Sequence, residues 1–277
     1  MDIRLSPYPG FAQRVRRVCR HIFEAEGITF LRSVVAMGEK RRFELPKGER
    51  LWRAQLGHNG FMEVPRPIYS LADQGRMLLG EEPVGPQAHF IMITKPAPHD
   101  LDRMMPLKDR AKEGRVNPKG IPCFYCATDA KTAINEVRPW IGSFVTLAEV
   151  LTLRSLSLVD CSTPQSAHKP TSDEEWDDWF LWNDINSAFS EPVMESDDLA
   201  DYAPTQALAE AFRILGTFDG IRYNSKVGDG LNISIFDCAD AKIVSRRVCK
   251  VTTRVLDSED ETAAILESDY PTPIPNH

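Results

Sequence analysis

The sequence predicts an α+β fold: a mixed, partly antiparallel β core with flanking helices, preceded by a helical N-terminal extension. Three observations carry this. Apolar runs at 121–127, 142–147, 153–159, 220–224 and 231–236 are short and bounded by glycine, proline or aspartate, as buried strands are. Helical periodicity with capping signals marks the segments near 10–26, 171–189 and 204–215. Gly228-Asp229-Gly230 joins two of the apolar runs as a hairpin turn. At 277 residues the chain sits near the size where a single core stops growing. The reading here is a helical extension over 1–47, a main domain over 48–256 and a disordered tail over 257–277, acidic and then proline-rich.

In order, an amphipathic helix over 10–26 sets Phe11, Val15, Val18, Ile22 and Phe23 against Arg14, Arg16, Arg17 and Arg20. A second helix is expected over 29–37. Residues 50–55 read as a strand with Trp52 and Arg53 on opposite faces. From about 62 to 114 the chain reads as a long loop insertion, because Pro65, Pro67, Pro83, Pro86, Pro96, Pro98 and Pro106 interrupt all but short apolar pieces such as 90–94. The 121–127 strand leads to Asp129, which caps a helix carrying Ala133, Ile134 and Val137, with Glu136 beside that stripe and Pro139 closing it. The 171–189 helix opens on a capping box, Ser172 to Glu175, and directs Trp176, Phe180 and Ile185 to the core. Its tryptophans, Trp176, Trp179 and Trp182, recur at helical spacing and read as packing. Pro204 opens the next helix and Gly216 stops it. Residues 242–256 add β structure.

Composition narrows the function classes. Forty acidic against 33 basic side chains give a net charge of −7, which argues against a general nucleic-acid binder. The arginine cluster near the N-terminus reads as a solvated helix face. No apolar run is long enough to cross a bilayer, and the N-terminus lacks the apolar core of a secretory signal, so a cytoplasmic protein is expected. Six scattered cysteines do not form a disulfide scaffold. Cys123-Phe124-Tyr125-Cys126 matches a C-x-x-C pattern, but it falls within a strand, and neither a second close pair nor the isolated His21, His58, His89, His99 and His168 completes a zinc set. Both cysteines read as buried packing residues, and no metal or cofactor is expected.

One carboxylate stands out. Glu136 sits at the end of a strand, turn and helix in RVNPKGIPCFYCATDAKTAINEVRP, with Arg53 earlier in LWRAQ and Ser225 later in DYAPTQALAEAFRILGTFDGIRYNS. Taken singly, Arg53 reads as an ion-pair partner, Tyr125 as a core aromatic and Ser225 as a strand-end cap. As an ordered set with these flanks, followed by the strand with Asn232 and Phe236, the sequence resembles the RES domain family, named for an arginine, a glutamate and a serine in that order. The resemblance covers roughly 48–240. It implies a compact fold similar to ADP-ribosyltransferases, consumption of NAD as substrate by cleavage of its nicotinamide–ribose bond, and a toxin held inactive by a helix-turn-helix antitoxin. Val116 stands where a tryptophan is common, and the loops after Arg53 and after Val159 are longer than in the short toxins.

The residue types suit that chemistry. Nicotinamide leaves NAD as a neutral molecule from a cationic centre, so no general acid is needed, and one carboxylate suffices where most glycosidases use two. Glu136 can accept from a ribose hydroxyl and hold negative charge beside the developing cation. Arg53 offers a fork for the pyrophosphate. Ser225 orients the glutamate or the ribose. Tyr125 supplies an aromatic face for the nicotinamide end, and Arg115 a second phosphate contact. No strand-linked G-x-G-x-x-G or P-loop is present. The expected activity is transfer to water or phosphate, with transfer of an ADP-ribosyl group to a protein, or a non-catalytic binding protein on the same fold, as the alternatives.

Overall fold

The computed structural model describes residues 6–82, 89–107, 110–163, 170–191 and 199–253. The tail, Pro83, Pro86 and His168 lie outside them. In chain order the elements are α1 (Tyr8–Arg17), α2 (Ala25–Glu39), β1 (Arg42–Leu45), β2 (Arg50–Leu56), β3 (Phe61–Ile68), α3 (Leu71–Leu78), β4 (His89–Pro96), α4 (Leu101–Met104), β5 (Phe124–Ala127), α5 (Ala130–Glu136), β6 (Phe144–Thr152), β7 (Leu156–Asp160), α6 (Asp173–Ser190), α7 (Ala203–Ile214), β8 (Gly220–Asn224), β9 (Leu231–Ile235) and β10 (Ala241–Lys250).

Eight strands form one sheet in the order β1-β7-β8-β9-β5-β2-β6-β10. Every pair is antiparallel except β7 and β8, which run parallel because α6 and α7 carry the chain back across the sheet. The seam between β5 and β2 is thin, with a single residue pair, Trp52 opposite Ala127.

Both faces of this α+β fold are filled. Phe11 and Val15 of α1, Val34 of α2, Trp182 and Phe189 of α6, and Leu208 and Phe212 of α7 pack with Val159 and Ile221. Leu51, Phe124, Val150, Leu158 and Ile233 fill the opposite face. The N-terminal helices therefore share the main core, and β1, from the stretch read as the extension, is an edge strand of the sheet.

Several boundaries differ from the sequence reading. The first helix ends at Arg17 rather than near residue 26. Val18 and Ile22 are 72% and 83% exposed, so they have no surface to bury against, while Phe23 turns back toward Phe11. In α6 the capping box forms as expected, yet Trp182 is the core tryptophan, and Trp176, Trp179 and Phe180 form a half-buried aromatic cluster. The 62–114 stretch is not a plain loop: β3 and β4 pair as a two-stranded ribbon joined through α3. The prolines that argued against strands there are tolerated because both strands have a free edge.

Cys123 and Cys126 are buried free thiols. Burial pushes the Cys126 thiol up to about 12 and Cys123 higher still, so both stay protonated packing groups. Among the described residues no group of His, Cys, Asp or Glu side chains is arranged to hold a metal ion, and no helix is long and apolar enough to cross a membrane.

Asp160 at the end of β7 accepts hydrogen bonds from Arg222 of β8 and from Ser162. Burial alone would raise its carboxyl, but these bonds and the Arg222 charge hold it below its ordinary value. A depressed folded-state value stabilises the fold at pH above the ordinary 3.8, and that contribution is lost as pH falls through the lowered value. Asp160→Asn should therefore melt below the wild type at pH 7, with the gap closing under pH 4. Melting curves from pH 7 to pH 3 check this, and a gap that widens in acid contradicts it.

Candidate active site

The site begins where β5 passes into α5. Asp129 caps the helix, its carboxylate accepting from the Thr132 N–H at 2.8 Å and the Thr132 hydroxyl at 2.7 Å. Ala133 lies against Ala54 and Ala127, and these small side chains let the helix sit close on the sheet. The helix ends at Glu136, and the chain turns away through Arg138, whose φ of 47° lies in the left-handed region uncommon for arginine. A carboxylate in the last turn gains nothing from the helix dipole. What holds it comes from elsewhere in the chain.

Ser225 Oγ donates to Glu136 Oε1 at 2.7 Å, and Asn232 Nδ2 donates to the same oxygen at 2.6 Å. Oε2 has no hydrogen bond among the described residues, and the side chain is open to solvent. The 225–230 loop that carries Ser225 is closed on itself by Val227 N–H donating to Ser225 Oγ at 3.2 Å, and tied to α5 by Asn135 Nδ2 donating to the Val227 carbonyl at 2.7 Å and Gly230 N–H to Thr132 Oγ1 at 3.0 Å. Gly230 has to be glycine, since a Cβ there would stand 1.9 Å from Asp129 Oδ2. Carboxylate and hydroxyl are thus fixed before any ligand arrives.

Glu136 lies where two concavities meet. One, of about 260 Å³, is lined by Trp52, Arg53, Ala127 and Ala133, and the other, of about 320 Å³, by Arg115, Arg138, Glu191 and Lys226. Tyr125, Glu136, Val137, Tyr223 and Asn232 border both. The first lobe is centred on the thin β2–β5 seam, and the second adds three cationic side chains. A larger concavity, about 1,120 Å³, runs along α6 beside Trp179 and Arg41, but none of the predicted site residues lines it.

All five residues picked out by sequence border this two-lobed cleft or bond to Glu136, but their side chains differ in what they can still do. Arg53 is largely buried, and burial lowers its pKa, although a guanidinium remains charged. It has no ion-pair partner among the described residues: Nε donates to the Met104 carbonyl at 2.7 Å, Nη1 to the Tyr125 carbonyl at 2.9 Å, and the group lies over the Phe124 ring. Two donors of the expected phosphate fork are therefore engaged by backbone, which leaves Nη2.

Tyr125 presents its ring to both lobes, while its hydroxyl is committed to the preceding turn. It donates to Asn117 Oδ1 at 2.6 Å and accepts from Val116 N–H at 3.1 Å, and burial raises the phenol well above its ordinary value. The polar tip expected at the nicotinamide end is thus already in use. Arg115 Nη1 donates to the Ala188 carbonyl at 3.1 Å, its guanidinium lies over Tyr202, and its buried Nε has no hydrogen-bond partner among the described residues.

Two site residues were given no role by the sequence reading, which noted Asn232 only as part of the strand after Ser225. Asn232, 6% exposed, is the second anchor of the glutamate, and Tyr223, opposite it on β8, walls both lobes. An asparagine inside a β-branched strand was the available signal, because such a residue is disfavoured there unless a buried partner uses its amide.

Comparison with known proteins identifies a family. The model of the RES domain family matches residues 93–257, more than half of the chain and including Glu136, Ser225 and Asn232, while Arg53 lies before the match. Among solved structures, the chain is similar to one in the crystal structure of the M. tuberculosis MbcT-MbcA toxin-antitoxin complex, with 14% identity and a TM-score of 0.37, over 78% of this chain and 92% of that one. No curated protein matches the sequence. By that match over residues 93–257, this chain belongs to the RES domain family.

Proposed function

We propose that the protein consumes NAD, breaking the bond between nicotinamide and ribose and passing the ADP-ribosyl group to water or phosphate. The observation that carries this reading is the Glu136 carboxylate, held through one oxygen by Ser225 and Asn232 while the other has no hydrogen bond among the described residues. A carboxylate so fixed can accept from a ribose hydroxyl, and its charge acts most strongly once the ribose becomes cationic. The remaining donors of Arg53 and the cationic lobe at Arg115, Arg138 and Lys226 suit a substrate carrying two phosphates. The Tyr125 and Tyr223 rings offer flat surfaces between the lobes. In keeping with the family, we take the protein to be a toxin neutralised by a helix-turn-helix antitoxin.

A second reading is transfer to a protein acceptor. It is favoured by Trp140 and Ile141, 80% and 65% exposed and two and three residues beyond Arg138, which lines the second lobe. Incubating pure protein with NAD alone separates the two. Nicotinamide released in large molar excess over the protein supports the first reading. Release only when a protein substrate is added, together with label on that protein, supports the second.

A further inference from the structure

The ribbon of β3 and β4, with α3 at its tip, stands apart from the eight-stranded sheet. Among the described residues, no other strand pairs with either member and no helix packs closely along them. A lone two-stranded ribbon is marginal in water. This one also carries ten of the 23 exposed large apolar side chains among the described residues, with Phe61, Leu71, Leu78, Leu79 and Met92 the most open. By the strand register, Phe61 and Met92 stand on one face of the ribbon and Met62, Ile68 and Ile91 on the other.

The two edges of the ribbon are not equivalent. Ala97 N–H donates to the Gly60 carbonyl at 2.9 Å, which fixes the register and makes Met62, Val64, Arg66 and Ile68 the residues bonded across to β4. Pro65 and Pro67 therefore fall where the nitrogen points outward, so the outer edge of β3 lacks two donors and is blunt. On β4 the outward positions are Phe90, Met92 and Thr94, each with an N–H and a C=O, and Pro96 ends the run. One edge is closed to pairing and the other is open.

We infer that the open edge of β4 pairs antiparallel with β4 of a second copy, joining two ribbons into a four-stranded sheet. The outward positions suit a two-fold axis through Met92. Met92 then meets its own copy, Phe90 and Thr94 exchange backbone bonds, and Ile91 lies opposite Ile93 of the other chain on the face those two residues share. No acidic or basic side chain within 90–94 has to be buried against a like charge.

The test is the mass of the full chain in solution at micromolar concentration, by sedimentation or light scattering, expected at twice 31.2 kDa. Met92→Pro removes the central outward donor while leaving the β3–β4 bonds intact, and should give a monomer; Glu63→Pro, at an outward position on the blunt edge, should stay dimeric. Met92→Lys and Met92→Glu should each be monomeric alone and form a one-to-one dimer when mixed, since the two charges meet at the axis. A monomeric wild type, or a dimer that survives Met92→Pro and Met92→Lys, overturns the proposal, and so does a β4 edge that pairs only with a different protein. NAD turnover should be unchanged in the Met92 variants, so this result stands or falls separately from the activity.

Discussion

Replacing Glu136 with glutamine should cut nicotinamide release about a thousandfold while leaving thermal stability within about 0.5 kcal/mol of the wild type. The substitution keeps the shape of the side chain and an oxygen able to accept from Ser225 and Asn232, so the anchoring bonds survive. What disappears is the negative charge. A thousandfold corresponds to about 4 kcal/mol of transition-state stabilisation, within reach of a fixed charge next to a forming cation but not of a surface hydrogen bond. Side-by-side measurement of NAD consumption and melting temperature decides the matter. Turnover within a few-fold of wild type would remove Glu136 from the chemistry and with it the proposed reaction.

Arg53→Met should lower turnover about a hundredfold, with a smaller effect on stability. Two opposing effects set the stability change. The carbonyls of Met104 and Tyr125 lose their donors, at a cost of about 1–3 kcal/mol if they stay buried. Against this, a buried cation without an ion-pair partner among the described residues disappears, and its desolvation cost goes with it. The net effect should be about 1 kcal/mol. Activity has no such offset, since both the remaining phosphate donor and the brace on β5 are lost. A variant that melts several degrees lower yet turns over NAD normally would make Arg53 a purely structural residue.

Much of this molecule was legible before its coordinates. The strand, turn and helix around Glu136 follow from local rules, because Asp129, Ala133 and Pro139 act within a few residues of one another. The capping box of α6 and the hairpin between β8 and β9 were equally local. What could not be read depended on distant partners. The C-terminal end of α1 is set by the lack of anything for Val18 and Ile22 to bury against. The ribbon of β3 and β4 was hidden because its prolines argue against strands unless each strand is known to have a free edge. In the site, the ordered set of Arg53, Glu136 and Ser225 was visible as a pattern, but the engagement of Arg53 and of the Tyr125 hydroxyl by neighbouring backbone and by Asn117 was not.

The anchors of Glu136 lie 89 and 96 residues further along the chain. During synthesis the glutamate leaves the ribosome long before the serine and asparagine that hold it, and β8 and β9 are among the last parts of the sheet to be made. A nascent chain therefore carries an unanchored Glu136 carboxylate until β9 has been made, so the cleft gains its ordered centre only after both of its walls exist.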